Sequence, residues 1–233
     1  MMRRFGFLPL ALAAVVAIGC DNNRRDTTAA KPADPAAVGT AGEADRNKPG
    51  MGDTDFVNDT AIAGMAEVEL GRMASEKGAS PDVKKFGKMM VDDHTAAGDR
   101  LKAIATQHNV EWPAGLDDKH RDLRDKLAKL SGAEFDREYM SAMVDGHEGV
   151  ASKLESRIDK ETLSKWKTET TDQVAGKKAK VEGKAIAVMP ERSDNPISMA
   201  INQWAADTYP TVQAHLSTAK QLNSGLSKRR TTN

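Results

Sequence analysis

Met90-Val91-Asp92-Asp93-His94 is followed, fifty-three residues on, by Met143-Val144-Asp145-Gly146-His147. The likeness extends outward. Phe86 answers Tyr139 four residues before each Met, and Leu101 answers Leu154 seven residues after each His. A third segment, Val212-Gln213-Ala214-His215-Leu216 with Leu222, keeps the same interval of seven. Apolar residues recurring at three and four are the signature of one face of a helix. Three of the five histidines therefore fall on the apolar stripes of three different helices. The arrangement is either a repeated packing solution or a binding site inside a helix bundle.

Working outward, Asp53 or Thr54 can cap a first helix with Phe56, Ala63, Ala66, Leu70, Met73 and Ala74 on its stripe. Gly78 closes it. Ser80 as N-cap and Pro81 at the first helical position start a second helix that runs to about His108. So short a connection predicts an antiparallel hairpin. Asn109 to Gly132 reads as a crossover containing a short polar helix over 117–130. A third helix begins near Ala133 and carries Phe135, Tyr139, Met143, His147 and Leu154. The fourth spans 197–226, with Pro210 expected to kink or restart it. Gly64, Gly71, Gly87 and Gly146 read as close-packing points, and Met89, Met90, Met140, Met143 and Met199 as core filling. The predicted fold is all-α, a ferritin-like four-helix bundle built from two helical hairpins and a crossover, over residues 53–226, with a flexible tail at 227–233.

Residues 161–196 are less regular and Lys-rich. Lys177, Lys178, Lys180 and Lys184 form a basic cluster that reads either as docking to an anionic surface or as a solvated helical extension or insertion. Across the chain, 34 basic and 34 acidic residues cancel, which excludes a strongly basic nucleic-acid footprint. Aromatics make up 4% of residues, a composition suited to helices packed through Ala, Leu, Met and Val.

Residues 1–19 read as an export signal, with Arg3 and Arg4 before an apolar run from Phe7 to Ile18. Ala17-Ile18-Gly19-Cys20 resembles a lipobox, so Cys20, the only cysteine, is expected to be lipidated. The alternative is an ordinary secretory signal with an incidental Cys. Residues 20–52 lack apolar periodicity and read as a disordered tether, on average roughly 30 Å long. These features predict an exported, periplasm-facing lipoprotein of the inner or outer membrane of a bacterium, with the membrane as a partner and further envelope partners unknown.

Heights along the helices bring chemistry into the bundle. Glu67 lies eleven residues before Gly78, His94 thirteen after Pro81, and His147 fourteen into the third helix. At ~1.5 Å per residue these fall within roughly 3–5 Å of one level. His215 lies near the middle of the fourth helix. Three imidazoles and a carboxylate suit Zn, Fe, Mn or Cu. The expected metal ligands are therefore Glu67, His94, His147 and His215. Glu69, Asp93 and Asp136 are candidates to orient a His or to enlarge the site. The competing reading is that each His is a hydrogen-bonded core residue. His108 and His120 lie outside the constellation. No nucleophile–base pair and no Gly-rich phosphate loop stand out, so the chain reads as a binder more than as an enzyme.

At these residues the chain resembles a bacterial exported family called domain of unknown function 4142. The resemblance is carried by Met65-Ala66-Glu67-Val68-Glu69-Leu70-Gly71, by Val83-Lys84-Lys85-Phe86-Gly87 leading to His94, by Phe135-Asp136-Arg137-Glu138-Tyr139 before His147, and by Tyr209-Pro210-Thr211-Val212-Gln213-Ala214-His215-Leu216. It covers roughly Asp53 to Leu222, and residues 161–194 look like an insertion. It implies a ferritin-like bundle, usually exported and often on a lipoprotein, and no established activity. Di-iron members of that fold use Glu three residues before each His. Val91 and Val144 stand there instead, so a ferritin-type centre is not expected. The readings that remain are a metal-buffering or stress-protective bundle, a structural or interaction module of the envelope, and a metal-dependent oxidoreductase.

Overall fold

The computed structural model describes residues 48–174 and 187–231. The export signal at 1–19, Cys20, the tether up to residue 47 and the Lys177–Lys184 cluster lie outside the described residues. Among the described residues six helices follow in order: α1 (Met51–Lys77), α2 (Pro81–Gln107), α3 (Asp118–Ala128), α4 (Gly132–Glu155), α5 (Lys160–Val174) and α6 (Pro196–Thr231). No strand occurs among the described residues, and the architecture is the expected all-α bundle. No described helix is long and apolar enough to cross a membrane.

α1 starts three or four residues earlier than expected, with Gly50 at the N-cap, and Asp53 sits inside its first turn, where its carboxylate accepts from Gly50 N at 3.2 Å. The same carboxylate meets Arg157 Nη1 at 2.5 Å and accepts from Ser198 Oγ at 2.6 Å. One buried residue thus ties the start of α1 to the end of α4 and the start of α6. At the other end, Asp136 accepts from Ala79 N (2.9 Å) and Ser80 N (2.7 Å), so the α1–α2 turn is clamped by α4. α1 therefore runs antiparallel to both α2 and α4, and α2 runs parallel to α4. The crossover returns the chain along α1, where Lys77 Nζ donates to the carbonyls of Leu127 and Ala128 at the end of α3.

α1 and α2 touch backbone to backbone. A Cβ on Gly87 would lie 2.6 Å from Gly71 O, and one on Gly71 would lie 2.7 Å from Gly87 O. These two glycines are the expected close-packing points. Gly64 is not one: a Cβ there meets nothing within 4 Å, because that turn of α1 faces open space. α6 passes through Pro210 without a restart and continues beyond Leu226 to Thr231. Tyr209 and Val212, packed on either side of the proline, hold the helix in place there.

Part of the Lys-rich stretch is packed and not solvated. Leu163 and Val188 join the core, and Trp166 meets Tyr209 edge-on with centroids 5.3 Å apart. Asp159 N donates to Met189 O, and Glu191 N to Arg157 O, each at 2.9 Å, so the two ends of the stretch are stitched together.

The core divides into two apolar clusters. One gathers Phe56, Val57, Leu101, Ala105, Ala151, Leu154 and Val212 with their neighbours. The other gathers Leu70, Ala74, Phe86, Met90, Tyr139, Met143 and Ala219. Along each bundle helix the change from one cluster to the other falls at a polar residue: Glu67 in α1, His94 in α2, His147 in α4 and His215 in α6. Burying a large apolar side chain is worth about 1.5–3 kcal/mol. Each cluster therefore stabilises its own half and presses the polar layer between them.

Candidate metal centre

The two copies of the repeat face each other across the parallel pair α2 and α4. Phe86 meets Tyr139 edge-on with centroids 6.3 Å apart, and two turns on, His94 meets His147 at 5.5 Å. His215 of α6 completes the triangle, 5.4 Å from His94 and 5.5 Å from His147 between ring centroids. One ring nitrogen of each lies within 4.8 Å of the others. His147 is fully buried, His215 is 3% exposed, and the His94 side chain 10%.

The outer nitrogen of every ring is held by an acceptor. His94 Nδ1 lies 2.9 Å from Glu67 Oε2, and His215 Nε2 lies 2.8 Å from Asp93 Oδ2. His147 Nδ1 lies 2.8 Å from the backbone carbonyl of Met143, one turn earlier in α4. Glu67 Oε1 is 3.2 Å from that same nitrogen but outside hydrogen-bonding geometry, which leaves it without a partner. A carbonyl or an ionised carboxylate can only accept, so each of these outer nitrogens carries the proton. In the neutral rings the lone pairs then reside on His94 Nε2, His147 Nε2 and His215 Nδ1. All three are buried without a hydrogen-bond partner among the described residues.

Charge reinforces this orientation. Burial on its own would raise the Glu67 carboxyl, but the imidazoles of His94 and His147 outweigh it and bring the pKa from 4.5 to about 2. Burial likewise opposes a charged His94, yet the Glu67 carboxylate raises its pKa above the ordinary 6.5. Burial dominates at His215 and lowers its pKa, against the hydrogen bond to Asp93.

These contacts also place the remaining candidates. Glu69 lies on the flank, with its carboxylate 3.6 Å from Arg124 Nη1. Asp136 stands eleven residues before His147, about 16 Å of helix rise away, at the α1–α2 turn. Cys20 lies outside the described residues. Sequence reasoning passed over the Met143 carbonyl, whose signal is its place four residues before His147 on the same helix. It also passed over the Tyr139 hydroxyl, buried without a partner two turns from His147. Burial, with the Glu67 charge adding to it, pushes that phenol well above its ordinary range.

Three buried lone pairs converging from three helices, each ring held from behind by an acceptor, fit a metal ion of the kind that imidazole binds. Such ligands bond at about 2.0–2.1 Å, so the rings would close inward by roughly an ångström. The donor pattern is unlike the carboxylate-rich di-iron type, with Val91 and Val144 at the positions where its glutamates would stand.

No curated protein and no solved structure matches the chain. The family described as Domain of unknown function (DUF4142) matches residues 38–182, a span that takes in Glu67, His94 and His147 and ends before His215. It runs through part of the 161–194 stretch and does not reach Tyr209–Leu216, the last segment of the resemblance. Since that span is more than half of the 233 residues, the chain belongs to this family.

Proposed function

We propose that this chain is an exported, lipid-anchored helical bundle that holds one transition-metal ion between His94, His147 and His215, in the service of metal buffering or envelope stress protection. The observation that carries the metal reading is the trio of buried, unpartnered inner nitrogens, opposite outer nitrogens that are all engaged. An unpaired buried polar atom costs about 1–3 kcal/mol, and a single ion would satisfy all three. A purely structural role accounts for the outer hydrogen bonds but leaves the inner nitrogens unexplained.

In this reading Glu67 and Asp93 orient imidazoles, and Glu67 acts from behind His94 instead of serving as a fourth ligand. The set of neutral nitrogen donors suits Zn, Fe, Mn or Cu. A bound ion would supply Lewis acidity, and with three protein ligands it would retain an exchangeable position. Export and anchoring rest on the N-terminal signal and Cys20, with the residues between Cys20 and the start of α1 as the tether to the membrane.

The test is metal analysis of the purified chain by mass spectrometry, alongside His94→Ala combined with His147→Ala. One ion per wild-type chain, absent from the double variant, is the expected result. Wild-type protein that carries no metal and gains no thermal stability from added Zn, Fe, Mn or Cu would overturn the assignment. Radiolabelled lipid on wild type, but not on Cys20→Ala, tests the anchor. Equal labelling of both would rule it out.

A further inference from the structure

Glu67 engages only one of its two carboxylate oxygens. Oε2 meets His94 Nδ1 at 2.9 Å, whereas Oε1 is buried without a hydrogen-bond partner. Two cavities flank the residue, one of about 340 Å³ beside His94 and one of about 570 Å³ between α1, α3 and α4. Oε1 itself is buried from both, so water does not satisfy it. The carboxyl is held ionised by the imidazoles, and an ionised carboxylate can only accept. A donor stands 3.2 Å away at His147 Nδ1, whose proton is engaged by the Met143 carbonyl at 2.8 Å. Gly146, next to His147, brings α4 close to this oxygen: a Cβ there would lie only 3.6 Å from Oε1.

We propose that metal binding moves the His147 Nδ1 hydrogen bond from the Met143 carbonyl to Glu67 Oε1, so that one carboxylate of α1 bridges two metal-bound imidazoles, His94 and His147. The inference rests on the three-histidine reading. A cation on His147 Nε2 draws electron density from the ring and makes the Nδ1–H a stronger donor. Such a donor favours an anionic acceptor over a neutral one, because a charge-assisted bond is roughly twice as strong as a neutral pair. The distance to Oε1 is already within reach, so only the direction of the N–H has to change, through a small turn of the ring. The Met143 carbonyl keeps its helical bond from the backbone N–H four residues on, and Oε1 gains the partner it lacks. α1 supplies none of the three ligands, yet through this exchange it responds to whether the site is filled.

NMR of the full chain with Zn(II), and separately with Cu(I), both diamagnetic, tests the exchange. Coordination should move the nitrogen resonances of His94 Nε2, His147 Nε2 and His215 Nδ1. At saturation the His147 Nδ1–H proton should move downfield and the Met143 carbonyl carbon upfield, because that carbonyl loses a hydrogen bond. In Glu67→Gln the amide presents a single acceptor oxygen, so the Met143 carbon should move downfield instead. Metal affinity in that variant should fall about 100-fold, the upper end for such partners, because two ligands lose their carboxylate. Asp93→Asn weakens the hold on His215 alone and should keep the wild-type pattern at Met143. An upfield Met143 shift that persists in Glu67→Gln, or that disappears in Asp93→Asn, overturns the proposal. Should Glu67→Gln fail to fold, the sign of the wild-type Met143 shift decides alone. If neither ion moves the inner nitrogens, the three-histidine reading fails and takes this inference with it. Shifted inner nitrogens beside a wild-type Met143 carbon that stays put or moves downfield sink this inference alone.

Discussion

Gly146 marks the one difference between the two Met-Val-Asp-x-His segments, and it tells the two histidines apart. In α2 the position is Asp93, which reaches across to His215. In α4 a Cβ at Gly146 would lie 3.6 Å from Glu67 Oε1, so a second aspartate would crowd and repel the carboxylate that holds His94. Glu67→Gln is the sharper probe of that carboxylate. Outer-sphere partners of metal-bound histidines typically contribute 10–100-fold to affinity, so a loss of about that size is expected in a competition titration.

The pH dependence of the metal-free protein carries its own sign. The folded pKa of Glu67, about 2, lies below its ordinary 4.5. Its contribution is therefore full above pH 4.5 and is lost as pH falls towards 2. His94 is raised above 6.5, so its contribution is full below 6.5 and is lost as pH rises through the raised value. The pair thus stabilises most between pH 4.5 and 6.5, by about 2–3 kcal/mol relative to Glu67→Gln. Urea midpoints measured across pH should show both limbs in wild type, and both should flatten in the variant. Metal affinity follows the opposite course to His94 protonation and rises with pH, because the ion needs the neutral ring.

Between elements, the α1–α2 contact sets the distance from Glu67 to His94. Gly71 lies one turn after Glu67, and Gly87 two turns before His94, and their backbones meet. Gly87→Ala would put a methyl group into the Gly71 carbonyl and should destabilise the chain by about 1–3 kcal/mol. Gly64→Ala lies in the same helix but faces open space, and should stabilise it by about 0.5–1 kcal/mol. Urea unfolding of the two variants reads both signs. The sequence treats these glycines alike, since each interrupts an otherwise apolar stripe. Their difference depends on which side of α1 receives α2, and residue spacing within one helix does not contain that information.

Across the described bundle, a polar layer separates two apolar clusters, and its four residues come two from each hairpin. An ion held there would link α2 of the first hairpin to α4 and α6 of the second. At a free metal concentration about 1,000 times the dissociation constant, the stabilisation would be about 4 kcal/mol. Hydrogen exchange should accordingly slow on both sides of the layer when metal is added. Slowing confined to one hairpin would count against an ion shared by the three helices.

The sequence by itself determined the four bundle helices, the short crossover helix, the hairpin order and the common level of Glu67, His94, His147 and His215, but not the packed helix α5. Those follow from local geometry, a fixed rise per residue and a fixed apolar period, and they survive any adjustment of packing. Tertiary structure alone decided which nitrogen of each ring points inward, that Glu67 stands behind His94, that a backbone carbonyl holds His147, and that a cavity opens beside His94. It also decided that Asp136 clamps a turn far from the histidines. Each of these depends on how neighbouring helices rotate against one another and how closely their backbones approach. A periodic pattern names the face of a helix, but the partner a side chain meets is chosen only when the faces are brought together.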